Sequence, residues 1–124
     1  MKPKKKKLRS LKSIHDQAWK LQSIFIRSSA ANFQGLAPCY TCYRLFPWKE
    51  LHAGHYKHGS YDFDLRNIKP QCNYCNTYAH GKPDEFYVHL VQEYGQEVAD
   101  ELRTRKHWND YKRLELEAII KLYK

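Results

Sequence analysis

The chain has no apolar run near the ~18 residues that a membrane-spanning helix needs, so a bilayer-embedded fold is not expected. Its N-terminus is rich in lysine but lacks the apolar segment of a secretory signal, which leads to the expectation of a reducing cytoplasm and no membrane partner. Internal repeats are absent, which excludes a solenoid. Acid is scarce in the first 80 residues: 14 Lys and Arg stand against 4 Asp and Glu, whereas residues 81–124 hold 8 against 9. The overall charge of +9 is therefore carried by the front of the chain, a pattern that suits a polyanion such as nucleic acid. Residues 1–12, MKPKKKKLRSLK, contain no acid and read as a basic arm. Lys4, Lys5, Lys6 and Lys7 are its expected DNA phosphate contacts.

Cysteine is equally sparse, but its placement is informative. There are four, in two Cys-x-x-Cys pairs, Cys39/Cys42 and Cys72/Cys75, with 29 residues between the pairs. In a reducing compartment such pairs bind metal or do redox chemistry, and two pairs together point to one structural Zn²⁺. Thiolates hold zinc in a tetrahedron at about 2.3 Å, and two intervening residues let both sulfurs of a tight turn face one ion. At 124 residues one domain with tails is expected, its small core stapled by the metal.

Hydrophobic spacing divides the chain into residues 1–12 (arm), 13–38 (helix and loop), 39–82 (zinc-bound core) and 83–124 (helices). A first helix is expected from Leu8 to about Ala30, with Leu8, Leu11, His15, Ala18, Leu21, Gln22 and Phe25 as its stripe. Gly35 and Pro38 mark a loop. Leu45–Tyr56 reads as a hairpin or paired strands, in which Leu51, Ala53 and His55 share one face and His52 and Gly54 the other. Tyr61–Leu65 reads as a second extended piece before Asn67. The second cysteine pair should open a helix with Asn76 in its first turn and His80 on the same face four residues on. Three more helices follow: Asp84–Tyr94 capped by Asp84, Gln96–Arg105, and Asp110–Tyr123. The last presents Tyr111, Leu114, Ala118, Ile119 and Leu122. His15, His89 and His107 look like ordinary helix residues. Trp19, Trp48 and Trp108 look like packing anchors.

The order His55…Asn67…Cys72-x-x-Cys75-Asn76 resembles the HNH, or ββα-metal, nuclease superfamily in its HNN variant. CxxC…CNYCN is similar to phage endonuclease VII. The run Trp48-Lys-Glu-Leu-His-Ala-Gly-His-Tyr56, Leu65-Arg66-Asn67, Gln71-Cys72-x-x-Cys75-Asn76 and Tyr87-x-x-x-x-x-x-Tyr94-Gly95 more closely resembles the NinG (Rap) recombination proteins of lambdoid phages. The resemblance implies an α+β fold, a small zinc-stapled ββα-metal (treble-clef-like) core with helices at both ends. It implies a metal-dependent endonuclease acting on branched DNA, in the manner of a Holliday junction resolvase, and admits a homodimer. His55 would be the general base, Asn67 would support the loop that aims it, and Asn76 would ligate a catalytic Mg²⁺ or Mn²⁺.

Many members of that superfamily carry Asp or His just before the base, as a second metal ligand. Here that position is Gly54. His80 is the expected replacement, ahead of His52, Asp62 and Asp64. Lys57, His58, Arg66 and Lys69 are expected phosphate contacts. Two other readings use the same residues: a non-catalytic zinc module that binds nucleic acid, and a protein-interaction adaptor built on the helices after Asp84.

Overall fold

The computed structural model describes residues 8–57, 63–104 and 112–124. The expected contacts Lys4–Lys7 and His58, together with Asp62, lie outside those residues, as do Tyr61, His107, Trp108 and Tyr111.

Helix α1 spans Leu11–Ser29 and is opened by Ser10, whose hydroxyl accepts from the Ser13 amide at 3.1 Å. Its buried residues are Ile14, Ala18, Gln22 and Ile26, a strict four-residue ladder. The expected stripe is therefore partly displaced: Ala18 and Gln22 are buried, but Leu8, Leu11 and Phe25 are exposed. The cause is tertiary. Helix α4 (Arg113–Tyr123) packs along α1, and Ile14 and Ala18 meet Leu116 and Phe63 there. Gln22 donates to the Phe63 carbonyl at 3.1 Å. The same contact sets the buried face of α4, so Leu116 and Ile119 turn inward while Leu114, Ala118 and Leu122 face out.

Two small antiparallel sheets form the centre. Strands β1 (Leu36–Pro38) and β2 (Leu45–Pro47) pair Ala37 with Phe46 and flank the first cysteine turn. Strands β3 (His52–His55) and β4 (Ile68–Gln71) pair His52 with Gln71 and Gly54 with Lys69. The expected hairpin within Leu45–Tyr56 does not form. A 3₁₀ turn at Trp48–Glu50 separates β2 from β3, and each strand finds a different partner. The second extended piece lies later than expected: Asn67 closes a turn onto the Asp64 carbonyl, and strand begins at Ile68. Pro70 is tolerated because a two-stranded sheet has only edges.

After Cys72 the chain makes a wide helical turn, Tyr74–Tyr78, with the Ala79 amide bonded to the Tyr74 carbonyl. His80, Gly81 and Lys82 then all take positive φ, and this ends the turn before His80. Helix α2 (Pro83–Tyr94) begins with proline at its first turn. Lys82 holds the cap position expected of Asp84, which lies inside that turn beside Glu85. Gly95, at φ 93°, turns the chain into α3 (Gln96–Thr104). Phe86 and Leu90 of α2 lock against Ala99 and Leu102 of α3, with Tyr40 and Tyr56 against the same cluster. Both helices lie where the spacing places them; their packing on each other is a feature that the structure adds. No helix among the described residues is long and apolar enough to cross a membrane.

Candidate metal centre

The first cysteine turn is held between β1 and β2: the Cys39 amide donates to the Arg44 carbonyl, and the Tyr43 amide to the Cys39 carbonyl, both at 2.8 Å. The Tyr40 amide donates to the Pro70 carbonyl at 2.8 Å and so ties this turn to β4, whose end carries Cys72. His89 of α2 secures it from the other side. Its Nδ1 sits 2.6 Å from the Tyr40 carbonyl, which can only accept, and its ring stacks on Tyr43 at 4.4 Å.

The result is one cluster in which the four cysteine sulfurs lie within 4.8 Å of one another, Cys42 and Cys72 at 3.9 Å. A tetrahedral zinc with bonds of about 2.3 Å requires sulfur–sulfur edges of about 3.8 Å. The four cysteines could hold a metal ion such as zinc, as their spacing predicts. Cys39, Cys72 and Cys75 are buried, and Cys42 is half-buried.

Burial opposes ionisation here, and the backbone partly answers it. Burial acts upward on Cys39 but is outweighed by the Thr41 hydroxyl and by the amides of Cys72, Cys42 and Thr41, so its thiol falls to about 6. Burial pushes Cys75 up to about 12 and raises Cys42. The metal-free cluster thus favours a thiolate at Cys39 and holds protons on Cys42 and Cys75, which metal uptake must release.

A second constellation lies across β3. The Asn67 carboxamide is fully buried, accepts from the Lys57 amide and donates to the Lys57 carbonyl, both at 2.8 Å. The Tyr56 amide bonds the Asn67 carbonyl. Asn67 therefore clamps the chain that leaves β3 immediately after His55. The His55 ring stacks on Trp19 of α1, centroids 4.6 Å apart, and its Nε2 is closed from solvent.

Gly54, the residue before it, faces the other way. A β-carbon on Gly54 would stand 1.9 Å from Gln71 Oε1 and 3.0 Å from Asn76 Oδ1. Strand alternation thus sends His55 to the α1 face and turns Gly54 toward Asn76. The His55 imidazole and the Asn76 carboxamide, expected to bear on one phosphate, thus approach β3 from different sides.

Gln71 belongs to the run that resembles the NinG proteins, but no role was expected of it. It is fully buried, and its Nε2 donates to Thr41 Oγ1 at 3.1 Å and to the Gly81 carbonyl at 3.0 Å. Its Oε1 accepts no hydrogen bond among the described residues. An unpaired buried carbonyl costs about 1–3 kcal/mol. Its place in that run, directly before Cys72, was the signal that could have pointed to a role.

The remaining candidates are scattered. His80 is exposed and left-handed, so the helical turn expected to align it with Asn76 has already ended. His52 is exposed on the Gly54 face. Asp64 accepts from Arg66 Nε at 3.2 Å and Nη2 at 3.0 Å, which raises the guanidinium pKa. Lys69 is bonded to Glu93 at 3.1 Å and to the Tyr94 hydroxyl at 2.5 Å, and lies over the Tyr40 and Tyr94 rings. Arg66 and Lys69 are thus engaged within the fold, while Lys57 is half-buried beside the Asn67 clamp.

These features define a mixed α+β domain whose two cysteine turns come together, between short sheets and flanking helices, as one knuckle that could hold a metal ion. The chain belongs to the NinG family: the family model described as Bacteriophage Lambda NinG protein matches residues 1–124. Protein ninG of Escherichia phage 933W and that of Enterobacteria phage VT2-Sa are each 31% identical over 111 residues, covering 86% of this chain and 53% of the relative. Protein ninG of Escherichia phage lambda is 30% identical over 107 residues, 83% of this chain and 50% of the relative. The chain thus spans about half the length of the curated relatives it matches. No solved structure matches.

Proposed function

We propose that this chain is a metal-dependent DNA endonuclease of HNH type that acts on branched DNA in phage recombination. One observation carries the reading. An antiparallel strand pair followed by a helical turn brings the Asn76 carboxamide against the strand residue that immediately precedes His55. In the proposed mechanism His55 takes a proton from the attacking water, and Asn67 fixes the backbone beyond it. Asn76 Oδ1 is a hard neutral ligand suited to a hydrated Mg²⁺ or Mn²⁺. Such an ion would supply charge stabilisation to the phosphate and its leaving oxygen. The cysteine cluster, with zinc, would hold β4 and the Asn76 turn in register. The basic front half of the chain would grip phosphates.

The Trp19–His55 stack favours a second reading, a non-catalytic zinc module that binds nucleic acid, because it gives the half-buried imidazole a packing role with Nε2 closed from solvent. Zinc-loaded protein incubated with a synthetic four-way junction and Mg²⁺ or Mn²⁺ separates the two. The endonuclease reading expects divalent-dependent strand scission. Binding without scission under any divalent ion would establish the second reading.

A further inference from the structure

We infer that Gln71 supplies the second protein ligand of the divalent cation held at Asn76, in the place that a side chain at residue 54 would otherwise take. The inference rests on the metal-dependent reading above and names a residue which that reading leaves unassigned. Three observations support it. First, the orientation of the Gln71 amide is fixed by chemistry. The Gly81 carbonyl only accepts, so it must face Nε2, and Oε1 must point the opposite way. Second, Oε1 is buried and receives no hydrogen bond among the described residues, so a lone-pair site is held ready with no donor on it.

Third, Gly54 provides the space. A β-carbon there would stand 1.9 Å from Gln71 Oε1 and 3.0 Å from Asn76 Oδ1, so Gln71 Oε1 itself takes the place of the missing side chain, with the Asn76 oxygen bordering it. Glycine at 54 and glutamine at 71 are therefore coupled: either a side chain grows from β3, or one reaches across from β4. An octahedral Mg²⁺ with bonds of about 2.1 Å sets neighbouring oxygens about 3 Å apart, and takes neutral carbonyl oxygens together with water and phosphate. With two uncharged ligands the protein holds the cation weakly alone and more firmly once DNA phosphate completes the shell. The ligand Gln71 is itself positioned by Thr41, whose hydroxyl also lies 3.5 Å from Cys39 Sγ, so the cysteine cluster braces it.

The test is a Mg²⁺ titration of the ¹⁵N-labelled, zinc-loaded full chain, following the side-chain amide signals of Gln71 and Asn76. Both should shift with one dissociation constant, and Mn²⁺ should broaden both. Gln71→Ala should weaken Mg²⁺ binding at least tenfold, and Gly54→Asp combined with Gln71→Ala should restore it. A shift of Asn76 with Gln71 unmoved would overturn the Gln71 assignment and leave the metal-dependent reading standing. If neither amide responds with DNA present, both fall. Should Gln71→Ala lose its zinc, the wild-type titration decides alone.

Discussion

Trp19 and His55 stack face to face, with ring centroids 4.6 Å apart and planes 21° from parallel. The contact joins α1 to the end of β3, where His55 Nε2 is buried. Proton uptake at His55 Nε2 therefore requires this region to open. Trp19→Ala should accelerate modification of His55 by diethylpyrocarbonate several-fold, read by mass spectrometry of the peptide. An unchanged rate would mean that Trp19 does not gate the ring.

Asn67 is predicted to matter for stability whether or not the chain cuts DNA. Asn67→Ala leaves the amide and carbonyl of Lys57 without their partner, which should cost about 2–4 kcal/mol. Asn67→Asp should also destabilise, because a carboxylate cannot donate to the Lys57 carbonyl. Urea unfolding of the zinc-loaded protein measures both.

The cysteine cluster predicts that folding and metal content are one quantity. The buried core around Ala37, Leu51, Cys39, Cys72 and Cys75 contains the ligands themselves. Cys75→Ser, or treatment with a strong chelator, should abolish cooperative unfolding and release about one zinc per chain. A chelated protein with an unchanged thermal transition would refute this.

The Tyr40–Glu93–Lys69 group predicts two pH limits. Burial acts to raise the Glu93 carboxyl, but the Tyr40 hydroxyl and Lys69 ammonium outweigh it and lower its pKa from 4.5. Its contribution is thus present above pH 4.5 and is lost as pH falls through the lowered value. Burial, then the bond to Glu93, raises Tyr40 from 10.0. That contribution is complete below pH 10 and declines above it, as the unfolded phenol ionises first. Glu93→Gln should flatten the acid limb in thermal melts taken across pH 3–7.

What could be read from the chain beforehand follows the range of the forces involved. The cysteine pairs were legible because two residues of spacing fix a ligand turn locally. Helices α2 and α3 were legible because Phe86, Leu90, Ala99 and Leu102 answer each other across one short turn. The buried face of α1 was not, since Leu116 and Phe63, distant in sequence, decide it. Nor was the pairing of β1 with β2, two three-residue strands too short to carry a pattern. His80 was misplaced because three successive positive-φ residues end the turn early. Gln71 was given no role because its significance depends on how closely Gly54 approaches it across the sheet.

The most direct measurement compares wild type, His55→Ala and Asn76→Ala on one radiolabelled four-way junction in Mg²⁺, with zinc content and junction affinity determined for each. The account predicts that wild type cuts and that both variants lose cutting by at least a hundredfold while keeping their zinc and binding the junction as tightly. Equal cutting by wild type and His55→Ala would contradict it.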